Sequence, residues 1–101
     1  MVVASSATRR EGGDQNMYYT YVLQSLTNSR RYIGSTYDLK QRLTEHNSGI
    51  GGVYTKNNRP FKLIYYEAYI EKKDASEAEK FYKTGYGREV LNEKLKNYLK
   101  S

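Results

Sequence analysis

The chain has 101 residues, with 17 Lys and Arg against 11 Asp and Glu, a formal net charge of +6 at pH 7. That length suits one domain, and the basic excess suits a polyanionic partner such as nucleic acid. The lack of cysteine excludes disulfides and thiolate metal centres and fits a reducing, cytoplasmic setting, and no apolar run approaches the roughly 18 residues that cross a bilayer.

Residues 1–16, MVVASSATRREGGDQN, mix small, polar and charged side chains without periodicity and read as a disordered tail, so the folded domain is expected over 17–101. YYTYVLQ (Tyr18–Gln24) is aromatic and β-branched, and reads as a strand. Turn chemistry follows in Ser25–Ser29, then a second strand over Arg30–Gly34, which makes a hairpin. Ser35 and Thr36 offer helix N-caps, with Asp38 in the first turn. The helix is expected from about Tyr37 to Asn47, stopped by Asn47-Ser48-Gly49. A long loop carries Lys56 and Arg59 to a third strand, FKLIYYEAYI, with Ile64, Tyr66, Ala68 and Ile70 on one face. A second helix is expected from an Asp74 cap to Lys83, broken by Gly85-Tyr86-Gly87. The last helix, Arg88–Lys100, puts Leu91, Leu95, Tyr98 and Leu99 on one stripe. This order predicts an α+β fold, a small three-stranded antiparallel sheet flanked by three helices.

Four polar positions stand out. In the first helix Leu39 and Leu43 point to the core, and Arg42 and His46 share the flank beside them. Tyr32 precedes the turn at Gly34 that feeds this helix, which brings its phenol toward Arg42. In the second helix Glu79 lies within about 40° of Ala75 and about 60° of Tyr82, at the border of the packed stripe. Glu77 points the opposite way and reads as a surface charge. Tyr54, Tyr65, Tyr66, Tyr69, Tyr82 and Tyr98 read as packing residues with exposed hydroxyls.

YTY (Tyr19–Tyr21), YIG (Tyr32–Gly34), Arg42 ten positions after Tyr32, His46 four later and Glu79 in a following helix together resemble the GIY-YIG nuclease domain. HNSG after the helix and the strand PFKLIYYE are similar to its small single-domain bacterial branch. Tyr19 stands where the motif has glycine. The resemblance implies a metal-dependent endonuclease that hydrolyses phosphodiester bonds, with DNA favoured as substrate, including structure-selective cutting in repair or recombination. It implies that Tyr21 and Tyr32 hold or deprotonate the attacking water. Arg42 would contact the scissile phosphate, and Glu79 would bind one Mg²⁺ or Mn²⁺. His46 would assist as base or leaving-group contact, and Asn92 would match a further cleft residue. Lys56, Arg59 and Arg88 are candidates to neutralise flanking phosphates. No membrane or protein partner is implied.

The chemistry stands by itself. A lone carboxylate suits Mg²⁺, which keeps most of its waters, and an arginine fork binds two phosphate oxygens at once. Tyrosine as a base is the difficult part, because its ordinary pKa is about 10. Either Tyr21 or Tyr32 working with His46 would meet that difficulty, and the sequence leaves the two open. A non-catalytic nucleic-acid-binding module on the same fold is the alternative, and an interaction domain with a vestigial cleft a third reading.

Overall fold

A computed structural model describes residues 17–49 and 57–100; the expected tail 1–16 and Lys56 lie outside them. Strand β1 (Tyr18–Ser25) is central in a three-stranded antiparallel sheet of order β2-β1-β3, between β2 (Arg31–Thr36) and β3 (Phe61–Tyr69). Helix α1 (Leu39–Ser48) joins β2 toward β3, and α2 (Lys72–Tyr82), α3 (Gly85–Lys94) and the short α4 (Lys96–Lys100) follow. The α+β class and the three-stranded sheet are as expected. Among the described residues no helix is long and apolar enough to cross a membrane.

Strand alternation sends β1 side chains to two different cores. Tyr21 and Leu23 join Phe61 beneath α1, where Leu39 and Leu43 close over them. Val22 points the other way and packs with Tyr82, Leu91 and Leu95 from α2, α3 and the turn after it. On that second face the Thr20 hydroxyl donates to the Ala75 carbonyl at 2.7 Å, which ties the sheet to α2. On the first, Asn47 donates to the Phe61 carbonyl at 3.1 Å and accepts from the Phe61 N–H at 2.6 Å, fastening the end of α1 to the start of β3.

Five local expectations change. Strand β2 runs on to Thr36, which pairs with Tyr19, so α1 starts later and Asp38 is its cap, accepting from the Gln41 N–H at 3.0 Å. A bulge shifts the β1–β3 register between Val22 and Leu23. Ile64 therefore packs beside Tyr65 on the α2 and α3 side, parted from Tyr66, which faces out on the other. Helix α2 begins at Lys72 with Asp74 in its first turn. Gly85-Tyr86-Gly87 opens α3 rather than breaking the chain. Thr84 caps it by accepting from the Gly87 N–H at 2.9 Å, and a Cβ on Gly87 would lie 1.8 Å from the Phe81 carbonyl, so only glycine lets α3 start so close to α2. The last helix is interrupted at Leu95, whose side chain stays in the core.

Candidate active site

Strand β2 carries the site: Tyr32 packs with α1 side chains on one face, and Ser35 bonds to Glu79 of α2 on the other. Tyr21, next to it on β1, pairs with Gly34. A Cβ at Gly34 would stand 2.5 Å from the Tyr21 hydroxyl, so the missing side chain is what lets the phenol lie across the strand. Tyr32 and His46 complete a ring cluster with Tyr21. The Tyr32 and His46 centroids are 4.9 Å apart, Tyr21 and His46 6.1 Å, and Tyr21 and Tyr32 6.5 Å.

His46 differs from the expectation. Leu39, Leu43 and His46 form one stripe of α1, and the imidazole is fully buried at 0% exposure rather than on the flank. Its Nε2 is 3.2 Å from the Tyr21 hydroxyl. Its Nδ1 is buried without a hydrogen-bond partner among the described residues. Burial and then the Arg42 charge hold the His46 pKa below its ordinary 6.5, against a weaker pull from Glu45, so the ring is neutral at pH 7. The Tyr21 phenol is pushed up to about 12 by burial and by Tyr32, while Arg42 pulls it down by charge and by a hydrogen bond. Glu79 adds a smaller upward push on the same phenol. Tyr21 is thus the point at which Tyr32, His46, Arg42 and Glu79 are all felt.

Arg42 is 40% exposed, with its Nε 3.2 Å from Glu45, and lines a cleft of about 350 Å³ with Ser35, Thr36, Tyr37 and Lys72. Glu79 projects from α2 to meet β2. One carboxylate oxygen accepts from the Ser35 hydroxyl at 2.9 Å, and the other pairs with the Lys83 ammonium at 2.8 Å. Ser35, expected as a helix cap, therefore orients the acid. Lys83 was one basic residue among many in the sequence, although its i,i+4 spacing from Glu79 is a readable signal.

The remaining candidates fall elsewhere. Asn92 accepts from Arg31 at 2.7 Å, and Arg88 lines a second cleft with Arg31, Tyr32 and Lys83. Arg59 is exposed at the hairpin end of the sheet, where its carbonyl accepts from the Thr27 hydroxyl at 3.0 Å. Tyr19 pairs with Thr36 and Ala68, and its ring meets Tyr66 edge-on at 5.8 Å. Among the described residues no group of three or more His, Cys, Asp or Glu side chains forms a metal cluster. The hydroxyls of Tyr65, Tyr69 and Tyr82, expected to be exposed, all donate to Glu67.

A small sheet with two motif tyrosines, an arginine and a helix-borne glutamate at its edge is the arrangement of one catalytic family, and the chain belongs to it. The GIY-YIG catalytic domain, a domain typical of endonucleases, matches residues 17–95. The chain is 42% identical over 93 residues to a UPF0213 protein in the ldhD 5'region of Pediococcus acidilactici, covering 90% of this chain and 89% of that one. It is 37% identical over 86 residues to UPF0213 protein YazA of Bacillus subtilis (strain 168), with coverage of 83% and 86%. A solution NMR structure of UPF0213 protein BH0048 from Bacillus halodurans shares 31% identity, with a TM-score of 0.46 and coverage of 74% and 81%.

Proposed function

We propose that the chain is a divalent-metal-dependent endonuclease that hydrolyses phosphodiester bonds in DNA at the β2 edge. The observation that carries this reading is the Tyr21 hydroxyl, 3.2 Å from a buried, neutral His46 and within the field of the Arg42 charge. A phenol held near 12 is protonated at neutral pH and is no base unaided. With a neutral imidazole against it, Tyr21 takes a proton from the attacking water as its own moves to His46 Nε2, so no free phenolate forms. As the water oxygen bonds phosphorus, the P–O bond to the leaving oxygen breaks and that oxygen takes a proton from solvent. Tyr21 is assigned the proton abstraction because its hydroxyl lies 3.2 Å from His46 Nε2. Arg42 offers its planar fork to the scissile phosphate, where negative charge grows in the transition state.

The residues present fit one Mg²⁺ or Mn²⁺. Glu79 is a partly exposed carboxylate that already holds a cation, the Lys83 ammonium, and Ser35 fixes its orientation. A single acid suffices for an ion that keeps several waters. When bound, the ion supplies Lewis-acid stabilisation of the phosphoryl oxygens. Arg88 and Asn92 extend the site toward flanking phosphates, and Arg59 would serve a more distant one.

The test is cleavage of labelled branched, flapped and single-stranded DNA in Mg²⁺ or Mn²⁺ by wild type and Glu79→Ala, with thermal melting to verify folding. The expected result is metal-dependent cutting that Glu79→Ala abolishes while still binding DNA. Tight binding by wild type with no cutting would instead support the non-catalytic module.

A further inference from the structure

The second cleft, about 400 Å³, runs along the opposite end of the β2 edge and is lined by Arg31, Tyr32, Ile33, Lys83, Arg88 and Leu91. No acidic side chain is among these, although Lys83 is paired with Glu79. Arg31 is unusual within it. One terminal nitrogen donates to Asn92 Oδ1 at 2.7 Å, which fixes the guanidinium plane. The other, Nη1, is buried and has no hydrogen-bond partner among the described residues. Buried donors are rarely left so, and a guanidinium presents a fork of donors matched to two oxygens of one anion.

Glu79 stands between the two clefts. Ser35, bonded to one carboxylate oxygen, lines the cleft that holds Arg42, and Lys83, bonded to the other, lines the Arg31 cleft. A strand with its scissile phosphate at Arg42 and Glu79 would continue along the β2 edge into this second basic cavity.

We propose that Arg31, aligned by Asn92 and assisted by Arg88, forms a second phosphate site for the nucleic-acid backbone next to the scissile position. It rests on the nuclease reading and extends it to how the substrate is held in register. Arg31 makes no contact with the reacting atoms, so it is a positioning residue.

The test is binding of a fluorescein-labelled DNA oligonucleotide to the full chain in EDTA, where no cutting interferes, over a range of salt. Arg31→Ala and Arg88→Ala should each lower the slope of log affinity against log salt by about one. A set of oligonucleotides, each with one uncharged methylphosphonate linkage, should contain one position that weakens wild type but leaves Arg31→Ala unchanged. If Arg31→Ala melts early, Arg31→Lys, which keeps the charge and loses the fork, should weaken binding at that same linkage only. A folded Arg31→Ala or Arg31→Lys that binds with the wild-type slope and the same linkage profile overturns the proposal, and shows Arg31 to be a clamp between β2 and α3. Wild type that binds no oligonucleotide overturns the nuclease reading as well, so the two failures are distinguishable.

Discussion

The molecule holds two clusters of phenols on opposite faces of one small sheet, and they are built on opposite terms. Beneath α2, Tyr65, Tyr69 and Tyr82 all donate to Glu67, a closed set in which each hydroxyl has the same acceptor. Beneath α1, Tyr21 meets a histidine with an orphaned nitrogen, and an arginine that opens into a cleft. Both environments raise tyrosine pKa values, Tyr65 to about 12 and Tyr21 to about 12. After burial, the causes diverge: the Glu67 carboxylate raises Tyr65, whereas at Tyr21 a cation works against the rise. A perturbed phenol alone therefore does not mark a site. Incomplete hydrogen bonding beside a cation and an opening is what distinguishes the proposed site.

Matched substitutions break this comparison most sharply. Tyr21→Phe should reduce the cleavage rate by about 10²–10⁴-fold, the usual contribution of a proton-transfer group, with little change in melting temperature. Tyr82→Phe removes a hydrogen bond to a carboxylate and should cost on the order of 1.5 kcal/mol of stability while the folded fraction cuts at the wild-type rate. Single-turnover rates and denaturant midpoints on both variants decide it. Equal loss of rate in the two would mean that the sheet, not the α1 cluster, governs activity.

Much of the α1 side was legible because its signals are local. YIG, Arg42 and His46 lie within one strand, turn and helix, and their spacing alone brings them together. The stripe Leu39, Leu43, His46 at i, i+4, i+7 even signalled the burial of the histidine, a clue masked by its polarity. The α2 side was less legible because its features arise from pairing across the chain. The bulge that sends Ile64 to the same side as Tyr65 exists only in the register with β1. Ser35 reads as a cap until α2 brings Glu79 against it, 44 residues further on. Arg31 carries no mark in sequence, because its meaning comes from Asn92 on α3.

Gly34 tests how far the two clusters can be uncoupled. Gly34→Ala places a methyl 2.5 Å from the Tyr21 hydroxyl, so the phenol must shift from His46. Overpacking of this kind costs about 1–3 kcal/mol. Cleavage by the folded protein should fall by about tenfold, since about 1.4 kcal/mol of lost transition-state interaction corresponds to that factor, while the tyrosines around Glu67 should keep their hydrogen-bonded NMR hydroxyl signals. Loss of those signals would show that the faces are linked through β1.

Acid unfolding offers the gentlest separation, because the two clusters titrate in different windows. His46 has a folded pKa below its ordinary 6.5, so protonation favours the unfolded chain; the stability linked to it is present above 6.5 and declines as pH falls below that value. Tyr21 faces the ring from β1, Tyr32 from β2, and Arg42 and Glu45 act on it from α1. For Glu67, burial works to raise the pKa, but the three phenol donors outweigh it and hold the carboxyl below 4.5. Its stability is present above 4.5 and is lost only as pH falls through the lowered value. Melting temperature plotted against pH should thus show a shallow decline beginning near 6.5 and a further one below 4.5. His46→Phe should remove the first and keep the second, and Glu67→Gln the reverse. Cleavage should follow only the first, with an acid limb whose midpoint lies below 6.5 because His46 stays neutral, and therefore able to accept the proton from Tyr21, to a lower pH than a solvent-exposed histidine. An acid limb that persists unchanged in a folded, active His46→Phe variant would remove the imidazole from the proton path and leave Tyr21 to be explained by Arg42 alone.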